Sequence, residues 1–251
     1  MSGHSKWANI KHRKAKVDAQ RANVFTKLGR AIFATARKGG GDPNANMSLK
    51  LAIANARAAN MPVDNINRLL ARATGEAEGV NYEEAVYEGY ATGGVAVLVQ
   101  ILTGNRNRTA PEIRHLFSRN GGSLGESGCV AWMFEMKGLL QVPAKDVPGD
   151  PDELMLDLIE IGAEDVKEED KLIEIVTAPQ DYDRIKTYLD EKGIKLSNAE
   201  LTMIPKTTVP VNDAETAEKV LRLLDALDEL DDVQNVYANF DIPDEVLNRM
   251  E

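Results

Sequence analysis

The chain has 251 residues, 43% apolar and only 5% aromatic, so aliphatic side chains must fill the cores of two or three domains. Its formal net charge is −10, and no run of about 18 apolar residues occurs, which excludes a membrane-spanning helix. The single cysteine, Cys129, excludes an internal disulfide and favours a reducing, cytoplasmic environment.

Charge is distributed unevenly along the chain. Residues 1–75 contain 14 Lys and Arg against 3 Asp and Glu, a formal charge of +11, so the remainder carries −21. This asymmetry indicates a polyanion-binding part joined to a part that repels polyanions. The positive charge is densest in a basic arm between residues 6 and 21. Its cationic residues, counting one histidine, are Lys6, Lys11, His12, Arg13, Lys14, Lys16 and Arg21.

The residues that follow the basic arm have the apolar spacing of helices. Residues 25–36 place apolar side chains at helical intervals, and the glycine run at 39–41 predicts the end of that helix. The Asp-Pro pair at 42–43 predicts the start of a second helix. A third helix is predicted over about 63–73. Together these elements predict a basic arm and three-helix domain over residues 1–78.

Strands and helices alternate from about residue 79. A central block has the order β-α-β-β-α-β, which is typical of a ferredoxin-like domain, and the units on either side of it join in the same order. The sequence therefore predicts an α+β fold, with a helical bundle followed by two ferredoxin-like domains, one inserted in the other. The first is discontinuous, residues 79–136 plus 206–251, and the inserted one spans 137–205. The predicted strands are 95–103, 129–135, 139–142, 164–168, 171–177, 199–204, 208–211 and 233–240, and the predicted helices are 110–119, 151–161, 180–191 and 214–230, the last capped by Asp213.

The basic arm is the first candidate binding site. Lysine and arginine clusters neutralise phosphates and release counterions, and a base can stack on Trp7, which lies among them. Lys27 and Arg30, on the polar face of the first predicted helix, extend the cationic surface. The alternative is a solvated tail with Trp7 packed into the bundle, but the charge asymmetry favours nucleic-acid binding.

The "NRNRT" stretch is the second candidate. It is predicted to form a loop between a strand and a helix, which would place Arg106, Asn107 and Arg108 beside free backbone N–H groups, as in many anion sites. The alternative is that Thr109 caps the helix and the arginines pair with nearby carboxylates. The residues do not decide between the two.

Patterns typical of catalysis are absent from the sequence. The three histidines and Cys129 lack metal-ligand spacing, and Cys129 is predicted to belong to a core. The glycine-rich stretch at 120–128 follows a helix and precedes a strand, the reverse of the dinucleotide-binding order, so we interpret it as a helix cap and loop. We therefore expect a protein that is not an enzyme and needs no cofactor or metal.

Several motifs resemble the YebC family over essentially the whole chain. They are GHSKWANIKHRK, YEGYATGGVAV, NRNRT, EIRHLFSRNGGSLGESGCVAWMF, GAEDV and DDVQNVYANF. The resemblance implies a helical N-terminal domain plus two α/β domains, one inserted in the other. One departure is Gly104, where the family usually has an aspartate, and it argues against a role for a carboxylate at that position.

The resemblance implies a regulator of gene expression, by one of two routes. Bacterial members are named as probable transcriptional regulators that bind promoter DNA, whereas other members resemble ribosome-associated translation factors that bind ribosomal RNA or tRNA. The motif begins at Gly3, which favours a bacterial cytoplasmic protein over one with a preceding targeting segment. A small-molecule sensor, with a ligand between the ferredoxin-like sheets, is the alternative of another class.

Overall fold

The computed structural model describes residues 17–75, 81–169, 171–247 and 249, and the chain divides into two compact units. One unit contains residues 132–208, and the other contains the described residues before 132 and after 208. An N-terminal helical region followed by antiparallel sheets confirms the α+β class. The limits of the three predicted domains stay a prediction.

The helices and strands have the following bounds. The helices are α1 Val17–Gly39, α2 Met47–Ala58, α3 Val63–Thr74, α4 Arg106–Arg119, α5 Pro151–Glu160, α6 Tyr182–Glu191, α7 Ala214–Asp228 and α8 Asp244–Leu247. The strands are β1 Glu83–Tyr90, β2 Ala96–Thr103, β3 Ser123–Leu124, β4 Phe134–Pro143, β5 Ala163–Glu169, β6 Leu172–Thr177, β7 Asn198–Pro205, β8 Val209–Pro210, β9 Val233–Ala238 and β10 Phe240–Asp241.

The first three helices share one apolar core, and the predicted end of α1 at the glycine run is confirmed. The predicted start of α2 at residues 42–43 is wrong, because the helix begins at Met47 after the cap residue Asn46. The Asn46 side-chain oxygen accepts a hydrogen bond from the Leu49 N–H at 3.1 Å. Its amide nitrogen donates to the carbonyls of Thr35 and Gly40 at 2.9 Å. One buried side chain therefore starts α2 and ties it to the end of α1.

The first sheet is antiparallel and has the spatial order β3-β1-β2-β9. It shares a core with α4 and α7, in which Ile113, Phe117 and Leu224 pack with strand residues such as Val97 and Val99. Strand β1 was not predicted, because its sequence "EEAVYEGY" mixes three glutamates with the alternating apolar residues. This strand also carries the buried Glu88.

The strand predicted over 129–135 is wrong. Residues 131–133 form a turn of 3₁₀ helix, and β4 begins only at Phe134, continuing through the separate strand predicted at 139–142. The backbone N–H groups of Val130 and Ala131 donate to the Glu88 carboxylate instead of to a neighbouring strand. A buried side chain thus takes the donors that a sheet ladder would need.

The inserted sheet has the spatial order β5-β6-β4-β7 and is also antiparallel. With α5 after β4 and α6 after β6, its chain order is the predicted β-α-β-β-α-β. Its core contains Leu140, Leu158, Ile173, Ile175 and Leu189. The sequence pattern was sufficient here because the central strands contain short, mainly apolar runs, at residues 139–142 and 172–176, and each helix has an apolar stripe.

Candidate nucleic-acid interface

The predicted interface is described only in part. Lys6, Trp7, Lys11, His12, Arg13, Lys14 and Lys16 lie outside the described residues, and so does the side chain of Arg21, whose backbone belongs to α1. Lys27, Arg30, Arg106, Asn107 and Arg108 are described. Their binding role stays a prediction, and their geometry follows.

Lys27 and Arg30 face the acidic segment at residues 228–232, which begins at the last residue of α7. The Lys27 ammonium donates to the Asp228 carboxylate at 2.9 Å and to the Asp228 carbonyl at 2.5 Å, and Lys27 is only 9% exposed. Arg30 pairs with Asp232, and it contacts Asp231 at 3.4 Å. These two cations therefore attach α1 to the end of α7.

Asp232 is the centre of a buried polar cluster. It is 4% exposed and accepts hydrogen bonds from the hydroxyls of Thr109 at 2.6 Å and Thr103 at 3.0 Å, as well as from Arg30 and from Arg108 at 2.6 Å. Burial by itself would raise the pKa of Asp232, but the hydrogen bonds from Thr109, Arg108 and Thr103 and the charge of Arg30 outweigh burial, and the pKa is lowered. The cluster therefore contains an ionised carboxylate shared by two arginines.

The sequence analysis did not single out Asp232. Its only signal was a place in the family-typical stretch "DDVQNVYANF", which does not indicate a partner. The structure joins this aspartate to Arg30 in α1 and to Arg108 in α4, so two residues that were predicted to bind nucleic acid independently meet at one carboxylate.

The loop predicted for "NRNRT" is wrong, because Arg106–Thr109 forms the first turn of α4. Asn105, not Thr109, is the cap, and its side-chain oxygen accepts from the Arg108 N–H at 3.2 Å. Thr109 is buried and bonded to Asp232. Arg106 and Asn107 are exposed, and Arg106 has no ion pair with a described residue, so these two present the free polar surface of this turn.

A groove of about 500 Å³ lies between α1 and α3, and the sequence analysis missed it. Three aromatic rings and three guanidinium groups line it, from Phe25, Phe33, Tyr82, Arg30, Arg68 and Arg72. The guanidinium carbons of Arg30 and Arg72 lie 5.9 Å from the ring centres of Tyr82 and Phe33, respectively. The sequence contained a signal for one wall of this groove, because residues 65, 68, 69 and 72 are spaced so that they lie on one face of a helix.

Glu88 forms a second buried cluster. Its carboxylate accepts hydrogen bonds from the N–H groups of Gly128 at 2.6 Å, Val130 at 2.8 Å and Ala131 at 2.7 Å. Burial would raise the pKa of Glu88, but these three hydrogen bonds outweigh it and the pKa is lowered. Burial and the charge of Glu88 together raise the pKa of the half-buried Cys129 thiol. This environment disfavours the thiolate that a nucleophilic cysteine needs.

We expect the Cys129 thiol to react slowly with iodoacetamide at neutral pH, because a raised pKa lowers the thiolate fraction. The pH at which the alkylation rate reaches half its maximum should lie above that of the same chain unfolded in urea. This midpoint is independent of access to the thiol, which alters only the maximum rate. A midpoint at or below that of the unfolded chain would contradict the assignment.

The described ranges contain neither a candidate metal site nor a candidate membrane-spanning helix. No group of three His, Cys, Asp or Glu residues is placed to hold a metal ion among the described residues. Likewise, no helix in that part of the chain is long and apolar enough to cross a membrane.

Comparison with known proteins identifies two matching family models. Residues 5–76 match the TACO1/YebC protein N-terminal domain, and residues 82–240 match the TACO1/YebC second and third domain. Proteins named "probable transcriptional regulatory protein" are 55% identical in Halothermothrix orenii, over 100% of this chain and 99% of the relative, and 56% identical in Moorella thermoacetica, over 100% of both. A crystal structure of a conserved hypothetical protein from Aquifex aeolicus is 51% identical, with a TM-score of 0.81 over 95% of this chain and 97% of that one.

Proposed function

This chain belongs to the TACO1/YebC family, and from that membership we propose that it is a non-enzymatic, cytoplasmic regulator that binds nucleic acid through its basic N-terminal part. The observation that carries the proposal is the separation of charge, +11 over residues 1–75 against −21 over the remainder. The names of its relatives as probable transcriptional regulatory proteins support a regulatory role.

The charge separation limits where a polyanion can bind. Lysines and arginines of the basic arm neutralise phosphates, whereas the acidic remainder repels the same strand, so contact is concentrated on the basic N-terminal part of the protein. The charges of Lys27, Arg30 and Arg108 are neutralised by Asp228 and Asp232. We therefore propose that these three cations hold the helices in place and do not contact phosphate. The phosphate contacts then fall to the arm, with Arg106 and Asn107 as a second, exposed contact.

Promoter DNA is the first candidate target, because the relatives carry the name of transcriptional regulators. Ribosomal RNA or tRNA is the second candidate, because a groove lined by three rings and three guanidinium groups suits unpaired bases better than duplex grooves. Two experiments, competition between duplexes and sedimentation with ribosomal particles, distinguish the two candidate targets. A promoter regulator should prefer a specific duplex to a random duplex, whereas a ribosome-associated factor should migrate with ribosomal particles in a sucrose gradient.

Replacement of Lys11, Arg13 and Lys14 by alanine should weaken binding to labelled DNA or RNA by at least about tenfold at low salt. The slope of log affinity against log salt should also fall by roughly 2 to 3, because up to three phosphate contacts are lost. Fluorescence anisotropy at several salt concentrations measures both quantities.

The matched control replaces three lysines of the inserted unit, Lys145, Lys195 and Lys206, by alanine, which removes the same charge from exposed positions. Binding by this control should change by less than about twofold. An equal loss in both triple variants, or no binding of the unaltered protein to DNA, RNA and ribosomes in dilute buffer, would overturn the proposal.

A further inference from the structure

We propose that the groove between α1 and α3 holds one unpaired nucleotide of the bound strand, with its base against the aromatic rings and its phosphate at Arg68 and Arg72. This inference rests on the proposed function and adds a site to it. The site is formed by described residues alone and does not involve the basic arm.

The groove has the size and lining of a site for a planar group. Its volume of about 500 Å³ lies within the range of small-ligand pockets. Phe25 and Tyr82 are half-buried, so part of each ring remains accessible, and Tyr82 is held edge-on to Phe33 with ring centres 5.8 Å apart at 78°. Aromatic faces bind bases of any sequence, because every base has a π-face.

The close approach of the two helices depends on Gly29 in α1. A Cβ atom at this position would lie 3.3 Å from Cδ1 of Leu69 in α3, which is closer than an ordinary van der Waals contact. The absence of a side chain at Gly29 therefore lets Leu69 pack directly against α1. Both residues line the groove, and Leu69 adds apolar surface to it.

The charge of the groove selects an anion. Its lining contains three arginines and no carboxylate. The charge of Arg30 is compensated by Asp231 and Asp232, whereas Arg68 and Arg72 are exposed and have no carboxylate partner among the described residues. Two uncompensated guanidinium groups in a groove that is also lined by aromatic rings match a ligand that joins a phosphate to a flat, apolar body.

A nucleotide meets this requirement only when its base is unpaired. In a duplex, the bases are stacked inside the helix and their faces cannot reach Phe25 or Tyr82. A bare phosphate would leave the rings without contact, and a neutral apolar segment would leave Arg68 and Arg72 uncompensated. An unpaired nucleotide can place its base against the aromatic rings and its phosphate against the guanidinium groups at the same time.

The test compares full-length protein with the double variant Arg68→Gln, Arg72→Gln. The probes are a labelled single-stranded RNA of about 12 nucleotides, the DNA strand of the same sequence, and its duplex. We expect the double variant to bind at least one single strand about tenfold or more weakly, while duplex binding changes by less than about twofold. Whichever strand shows the loss identifies the source of the nucleotide.

The matched control is Lys50→Gln, Arg57→Gln, which removes two exposed positive charges from α2 at positions outside the groove lining. The control should bind all three probes within about twofold of the unaltered protein. If the groove variant and the control lose equal affinity, the groove inference fails and the proposed function stands. If the unaltered protein binds none of the probes, the proposed function itself fails.

Crosslinking supplies a second measurement that needs no variant of the groove. RNA and DNA strands carrying 4-thiouridine and 4-thiothymidine are irradiated with the unaltered protein, and mass spectrometry locates the attached peptides. Attachment at Phe25 or Tyr82 is the expected result, and competition by excess unlabelled strand should abolish it. Attachment confined to residues outside the groove would overturn the inference.

Discussion

Replacing Asp232 by asparagine is expected to lower the free energy of unfolding by about 3 kcal/mol, because it removes the buried counter-charge that lies nearest to the largely buried Arg30. The side chains of Arg30 and Asp232 are 16% and 6% exposed, so water compensates little of the lost interaction. Arg108, whose side chain is 61% exposed, should contribute only a small part of the loss. Urea unfolding followed by circular dichroism measures the change.

Asp231 provides the matched control for this prediction. It neighbours Asp232, its side chain is 59% exposed, and it contacts the same Arg30 at 3.4 Å. The Asp231→Asn variant should change the free energy of unfolding by no more than about 0.5 kcal/mol. Equal effects at the two positions would show that burial and the threonine hydrogen bonds give Asp232 no special role.

The stabilisation by Asp232 should also depend on pH. Because its pKa in the folded protein is lowered, its contribution is fully present above its pKa in unfolded chains, about 3.9, and is lost as the pH falls through the lower folded value. Asparagine cannot ionise, so the stability difference between the unaltered protein and Asp232→Asn should be constant near neutral pH and shrink below about pH 4. A difference that grows on acidification would have the wrong sign.

Replacing Glu88 by glutamine is expected to cost roughly 2–3 kcal/mol of folding free energy. The carboxylate accepts from three backbone N–H groups, whereas a glutamine would present its own N–H₂ donors to at least one of them. Val130 is fully buried, so its N–H has no access to water as a replacement. Hydrogen exchange should show faster exchange at the amides of Val130 and Ala131, and urea unfolding should give the free energy.

Glu84 is the control for Glu88, because it lies on the same strand four residues earlier and is exposed. We expect Glu84→Gln to alter stability by less than about 0.5 kcal/mol and to leave the exchange of residues 130 and 131 unchanged. The Glu88→Gln variant should also lower the pKa of Cys129 relative to the unaltered protein, since it removes a nearby negative charge. Unchanged amide exchange in Glu88→Gln would contradict the role assigned to this carboxylate.

The two clusters have different consequences for the proposed function. Asp232 joins α1, which follows directly from the basic arm, to the first turn of α4, where Arg106 and Asn107 are exposed. It therefore links α1 to the turn that presents Arg106 and Asn107. Among the described residues, the Glu88 carboxylate accepts from the N–H groups of residues 128, 130 and 131 in the turn after β3, so its loss should affect stability more than nucleic-acid affinity.

The sequence by itself determined the features that local patterns encode. The inserted β-α-β-β-α-β unit followed from short, mainly apolar runs in its strands and apolar stripes in its helices, and the cap of α7 followed from Asp213, whose side chain accepts from the Thr216 N–H at 2.8 Å. The division of charge between the N-terminal part and the remainder also required only counting. Each of these features depends on residues that are near one another in the chain.

Only the tertiary structure decided which cations are paired with a carboxylate and which remain available to bind an anion. Arg30 and Asp232 are separated by 202 residues, and Arg108 and Asp232 by 124, and no local preference specifies such pairs. The groove likewise combines rings and guanidinium groups from α1, α3 and Tyr82. Contacts of this kind arise when distant elements pack around shared cores, because packing brings together side chains that local propensity leaves independent.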